Sequence, residues 1–387
     1  MIKVRGFIVS DILSKGITAA FIPLFAYYMG PSDLAAFGGW FLVFTTVSLF
    51  LSLGSPSYFS KKIVDNNDVD EELFLFFILT TIVLLVFIII CFSFKADFTP
   101  FLCAYFFVFY QLRLSILRVS NRLYSYCKNN LAFSFLCSIV PFFAYLYFDT
   151  WFARVYFYIF ITVIFGGGAI WFLLCFRTFI FNYKKLKLFS IDIVKFGLPL
   201  SLGGTIFSLR TLFDFSMLED NGSKDLAASY FLSFQVISII LLLGAILNRT
   251  LQPAVFKLIR DEKNYSSLLN NVSIKMLLVL VPLLLFGWFF SLLYSEYDGL
   301  YLFFVPMSIG AIVYTIAQLY SSVFLYHTES MGLLLCAVLS SFLHVFSTLV
   351  FIFINKVELV GASSLISSMF FVFYIFNLKK KFKNVRA

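Results

Sequence analysis

Charge is what this chain has least of. Only 13% of its 387 residues are Asp, Glu, Lys or Arg, while 61% are hydrophobic; a soluble domain carries about 25% charged residues. With a mean hydropathy of +0.96, the apolar surface is too large for one soluble core to hide. Histidine is nearly missing too, with two residues. The six cysteines (91, 103, 127, 137, 175 and 336) show no C-x-x-C spacing and lie within or beside apolar runs. They read as buried thiols, and no metal or redox centre is expected. There is no Ser/His/Asp or Cys/His set, and no glycine loop on a soluble fold to cradle a phosphate. The longest polar connections, near 56–72, 178–195 and 257–271, are too short to fold alone. No catalytic residue, cofactor or nucleic-acid partner is therefore expected.

What the chain does have is a succession of apolar runs, each near the roughly 20 residues that span a bilayer as a helix. Twelve spans are predicted, near 6–29, 34–55, 73–94, 99–120, 130–148, 154–177, 196–218, 226–249, 272–294, 299–323, 331–354 and 357–378. The fold class is an all-α polytopic membrane protein. The first run follows Lys3 and Arg5, as a signal peptide would, but it is too long for an h-region and Asp11 and Lys15 interrupt it. It reads as an uncleaved first helix. With the N-terminus in the cytoplasm, twenty-one Lys and Arg fall on inner segments, and only Lys95, Arg154, Lys224 and Lys356 on outer loops. That asymmetry places both termini inside.

The chain repeats itself. Asp33-Leu34-Ala35-Ala36 returns as Asp225-Leu226-Ala227-Ala228, 192 positions later (225 − 33). Each copy is followed by an apolar span and then P-x-x-F and a lysine: Pro56 to Phe59 with Lys61, and Pro253 to Phe256 with Lys257. Two six-helix halves, 1–190 and 191–387, explain this. Six is even, so the halves share an orientation, and parallel lobes that rock about a shared site suit a transporter.

Four charges lie inside predicted spans: Asp11 and Lys15 in the first, Arg210 and Asp214 in the seventh, its counterpart. Each costs on the order of 2.5–3.5 kcal/mol at a helix centre, so each marks a functional position by default. Both pairs are spaced i,i+4 and share a helix face. Asp11, Ser14, Lys15 and Thr18 form one stripe; Gly203, Phe207, Arg210, Thr211 and Asp214 form the other. Gly16 and Pro23 interrupt the first helix, and Gly197, Pro199, Gly203 and Gly204 the seventh. The competing reading is that each pair neutralises itself and only fixes packing.

If the cations line a wet cavity, the cargo is an anion, since Arg offers a planar fork to phosphate and Lys a point charge. Arg113 and Arg249, near inner helix ends, extend a basic path or simply anchor the protein; Arg118, Arg122 and the tail lysines read as anchors. Asp11 and Asp214 are candidates for coupling to H+ or Na+. Asp68-Val69-Asp70 reads as a solvated acidic loop rather than a nucleotide-sugar DxD site. His344 is read as a packed or hydrogen-bonded histidine, with a proton relay as the alternative.

MGPSDLAAFGGW (29–40), GLPLSLGGTIFSLRTLFDFSML (197–218) and LNRTLQPAVFKLIRDEKN (247–264) resemble the polysaccharide flippase family, the Wzx-type O-antigen translocases. These belong to the superfamily of multidrug, oligosaccharidyl-lipid and polysaccharide exporters. The resemblance covers essentially the whole chain. It implies two six-helix lobes in a bacterial inner membrane. The cargo it implies is an undecaprenyl-pyrophosphate-linked oligosaccharide, moved from the cytoplasmic to the periplasmic leaflet alongside other polysaccharide assembly proteins. The family's cationic central cavity maps onto Lys15 and Arg210, and further along onto Arg113 and Arg249. An ion-coupled multidrug or cation antiporter of the same superfamily is the first alternative. A membrane-embedded polysaccharide polymerase is the second, disfavoured by the lack of a sizeable periplasmic loop or catalytic domain.

Overall fold

A computed structural model describes residues 2–64, 69–174, 189, 191, 193, 197–261, 264–294, 296–297, 299–326 and 330–384. Several expected features lie outside them: Asp68, most of the 178–195 connection with Arg177, Lys184, Lys185 and Lys187, and His327. The described residues form helices joined by short turns and loops, and the helices satisfy backbone groups to which lipid offers no hydrogen bonds. In chain order the helices are α1 (Ile2–Tyr28), α2 (Pro31–Ser52), α3 (Ser55–Val64), α4 (Asp70–Phe94), α5 (Thr99–Val119), α6 (Leu123–Phe148) and α7 (Trp151–Leu174). Then come α8 (Leu198–Asn221), α9 (Lys224–Arg260), α10 (Ser266–Leu293), α11 (Leu300–Tyr326), α12 (Ser330–Phe353) and α13 (Val360–Asn384).

Eleven of these are long and apolar enough to cross a membrane. The exceptions are the short α3 and the charged α8. At 24 residues α8 is about 36 Å long, so its charges, not its length, set it apart. The protein is thus an all-α, multi-pass membrane protein, and the expected spans reappear at their expected places.

The repeated D-L-A-A is a helix start. Asp33 and Asp225 lie in the first turns of α2 and α9, where an acid complements the exposed N–H groups. Leu34, Ala35, Ala227 and Ala228 behind them are buried. The copies then diverge. After α2 the chain turns at Leu53 and Gly54, both with positive φ, and restarts as α3; the second copy continues as one 37-residue helix. Gly54 is required there: a Cβ on it would lie 2.6 Å from the Gly197 carbonyl oxygen. The first turns of α8 are held in the same place, with Ser201 Oγ donating to the Leu49 carbonyl at 2.9 Å.

Two compact units result. Unit 1 comprises residues 1–21 and 39–208, and unit 2 residues 22–38 and 209–387. In unit 1, α7 packs on α5 and α6 around an aromatic core of Phe7, Tyr110, Tyr126 and Phe133. The α5–α7 crossing is close, because Gly166 leaves room for the Phe106 backbone. In unit 2, α9, α11 and α13 pack side by side, with α10 against α11 and α12 against α13. Gly244 accommodates Thr315, and Gly310 the backbone of Ser364. Tyr297 ties the start of α11 to the end of α1, donating to the Ala26 and Met29 carbonyls at 2.8 and 2.7 Å.

Candidate functional site

Each unit holds one polar centre built on an intramembrane aspartate. In unit 1 that residue is Asp11 of α1. Arg118, in the last turn of α5, donates from Nη2 to Asp11 Oδ2 at 2.8 Å. Tyr126 of α6 donates its hydroxyl to Oδ1 and receives a hydrogen bond from Arg118. Asn130, one turn further along α6, donates to Oδ1 at 3.1 Å. Its carbonyl oxygen accepts from Ser14 at 3.2 Å, and Ser14 also meets Ser134. Tyr126, Asn130 and Ser134 are spaced by four and share one face of α6, turned toward Ser10, Asp11 and Ser14 of α1. The cluster is partly open: the Arg118 and Asp11 side chains are 34% and 19% exposed.

In unit 2 the residue is Asp214 of α8, with no exposure at all. The Tyr230 hydroxyl of α9 donates to Oδ2 at 2.8 Å. His344 Nε2 of α12 lies 2.8 Å from the same oxygen. Thr348, one turn beyond His344, donates to Oδ1 at 2.7 Å and reaches Ser363 Oγ of α13 at 3.0 Å. His344 Nδ1 is 3.2 Å from Ser367 Oγ, also on α13. Three helices, α8, α9 and α12, therefore meet at one buried carboxylate and α13 backs its α12 partners, which meets the rule that a buried charge must be hydrogen-bonded and compensated. Arg210, one turn before Asp214, is 6% exposed.

The expected site residues are distributed unevenly. Lys15 is exposed on α1. Arg113 is half-buried on α5, with its guanidinium over the Phe172 ring at 4.8 Å and close to Gly168 of α7; its buried Nε has no hydrogen-bond partner among the described residues. Arg210, expected to meet a phosphate, is buried here and would have to be uncovered first. Arg249 lies on α9, but its side chain is outside the described residues. Arg118, read as an anchor, instead completes the Asp11 centre. His344, read as a packed or hydrogen-bonded histidine, is both, and its partner is Asp214. Polar residues at i,i+4 in otherwise apolar helices (Tyr126 and Asn130, His344 and Thr348, Ser363 and Ser367) were the available signal for both clusters.

No protein-family model matches the chain, and no curated protein matches it. Solved structures do. A lipid II flippase MurJ in an inward closed conformation superposes with a TM-score of 0.77 at 14% identity, over 96% of this chain and 87% of that one. An inward-facing multidrug resistance MATE family transporter of the MOP superfamily gives 0.72 at 15% identity, over 98% and 96%. A MOP superfamily transporter from Pyrococcus furiosus, described by a binding pocket of reverse polarity suggesting a different function, gives 0.72 at 14%, over 100% and 96%. At such identities the likeness establishes the fold.

Proposed function

We propose that this protein is a flippase. Its cargo is a polyprenyl-pyrophosphate-linked oligosaccharide, an O-antigen or similar repeat unit, carried from the cytoplasmic to the periplasmic leaflet by alternating access. The residue resemblance to the Wzx-type translocases and the fold shared with a lipid II flippase support the same class of cargo. The observation that carries the reading is Arg113: a cation toward the end of the membrane-spanning α5, its buried Nε without a partner among the described residues, its guanidinium over the Phe172 ring and close to Gly168. Such a residue is costly in lipid and suited to a diphosphate. Lys15, exposed on α1, adds a point charge. Arg249 extends the basic path inward, and Arg210 joins it only in a conformation that uncovers it. We place the protein in a bacterial inner membrane with both termini cytoplasmic, and the duplication boundary near residue 190 as the division between its halves.

The test is charge reversal. Lys15→Glu and Arg113→Glu should each abolish surface polysaccharide while the protein accumulates in the membrane as wild type does. Wild-type polysaccharide in both variants removes the docking role. A second reading, an ion-coupled multidrug antiporter, is favoured by the equally full overlay on a MATE transporter; drug resistance on overexpression, with polysaccharide unaffected by deletion, would decide for it.

A further inference from the structure

The Asp214 cluster is built to accept a proton without leaving any polar group unpaired. Thr348 has one hydroxyl proton and two acceptors within reach, Asp214 Oδ1 at 2.7 Å and Ser363 Oγ at 3.0 Å. Ser367 has one proton and two acceptors as well: the Ser364 carbonyl at 3.1 Å and His344 Nδ1 at 3.2 Å. When His344 is neutral, its Nε2–H donates to Asp214 and the Ser367 hydroxyl donates to Nδ1. When His344 gains a proton, Nδ1–H donates to Ser367 Oγ, and the Ser367 hydroxyl turns to the Ser364 carbonyl. Both ring nitrogens of His344 and the Ser367 hydroxyl keep a partner in both states, so the change strands none of them, which would otherwise cost about 1–3 kcal/mol.

The same geometry opposes a metal cation. Three donors, from Tyr230, Thr348 and His344, already occupy the two carboxylate oxygens. A hard cation wants oxygen lone pairs in their place, not imidazole N–H. The charged and titratable groups about the pair are few. Among the described residues, Arg210 lies on α8 and Tyr230 on α9; α13 contributes the hydroxyls of Ser363 and Ser367; Tyr314 of α11 and Cys336 of α12 lie about Arg210. With Asp214 ionised and His344 neutral, Asp214 balances Arg210. One added proton gives the cluster a net positive charge.

We propose that Asp214 and His344 form a proton-binding site within unit 2, that the proton resides on His344 Nδ1, and that H+ rather than Na+ is the ion this site exchanges. No covalent bond other than N–H is made or broken, and solvent is the proton's source and sink. The inference deepens the transport reading and rests on it for its purpose. Its test does not, because no cargo is involved, so either can fail while the other stands.

The chain has two histidines, which makes the test selective. The full-length protein, labelled with 15N-histidine and purified in detergent, should give two imidazole signals, and His327→Gln assigns them. The His344 signal should pass between neutral and imidazolium forms across the range of roughly pH 5–8 where histidine switches, equally in NaCl and KCl. In Asp214→Asn the imidazolium form should be lost or confined to more acidic solutions, with the His327 signal unmoved. A His344 signal that stays in one form across that range overturns the proposal. A signal that answers to NaCl against KCl at constant pH, and not to pH, overturns it in favour of a metal cation.

Discussion

Asp11 on α1 and Asp214 on α8 are both aspartates set in otherwise largely apolar helices, yet the two units treat them differently. Asp11 faces Arg118, whose charge is permanent, in a cluster that remains partly open. Asp214 is sealed, and its basic partners are a buried arginine one turn away and a histidine in direct contact. The first arrangement joins a carboxylate to a guanidinium. The second contains the one kind of side chain whose charge ordinarily changes between about pH 5 and 8. The acid is common to both centres and the partners differ: a guanidinium, a phenol and an amide in unit 1, and a phenol, an imidazole and a hydroxyl in unit 2.

The sharpest way to break this contrast is to neutralise each acid in turn. Asp214→Asn removes a fully buried carboxylate contacted by Tyr230, His344 and Thr348, and breaking such a buried charged network costs about 3–5 kcal/mol. Asp11→Asn leaves Arg118 a third exposed and able to turn toward water, so about 1 kcal/mol is expected. Apparent unfolding midpoints in detergent should fall clearly for the first and little for the second. Equal falls would show that the two centres do not differ in depth.

The acids themselves were legible in the sequence; their partners were not. An aspartate inside an apolar run announces itself, because the bilayer makes it expensive. Helix periodicity then says which face it lies on, but it does not reach from Asp11 to Arg118, 107 positions away, or from Asp214 to His344, 130 positions away. Arg118 reads as an anchor because a cation at a helix end normally meets lipid headgroups, and for His344 the sequence offers the packed, hydrogen-bonded state but not the identity of the partner. The spans were legible for the opposite reason, since hydropathy is local. Even α8, excluded by hydropathy alone, stands out by its helix breakers and paired charges. The break between α2 and α3 was less visible: Gly54 could be seen, but its need for a positive φ against Gly197 depends on two backbones meeting.

A second contrast concerns how tightly each unit is packed. Alanine at Gly166 in unit 1 would put its Cβ 2.3 Å from the Phe106 carbonyl oxygen, whereas alanine at Gly310 in unit 2 would meet the Ser364 backbone at 3.0 Å. A clash with backbone is relieved only by separating the helices, at about 1–3 kcal/mol. Gly166→Ala should therefore lower the apparent unfolding midpoint more than Gly310→Ala. The reverse order would make unit 2 the less forgiving of the two.

The smallest effect is expected at a polar cluster in unit 1 that involves the short helix α3. Tyr58 of α3 donates to Glu72 Oε2 of α4 at 3.1 Å, and Lys62 of α3 pairs with the other oxygen. The Lys62 side chain is 23% exposed, so Lys62→Met should cost under about 1 kcal/mol and less still in high salt. Tyr58 behaves differently. Burial, aided by the Glu72 charge and opposed by Lys62, pushes its phenol from the usual 10.0 up to about 12. A group whose protonated form is favoured in the folded chain lends stability that is whole below pH 10.0 and disappears as the pH climbs through about 12. Tyr58 is therefore silent near neutrality and answers only to alkali. Tyr58→Phe should flatten the decline of the unfolding midpoint across that alkaline window and leave its value near pH 7 almost unchanged. A variant that declines as steeply as wild type there would mean that Tyr58 is already ionised, or already released from Glu72, before the rest of unit 1 gives way.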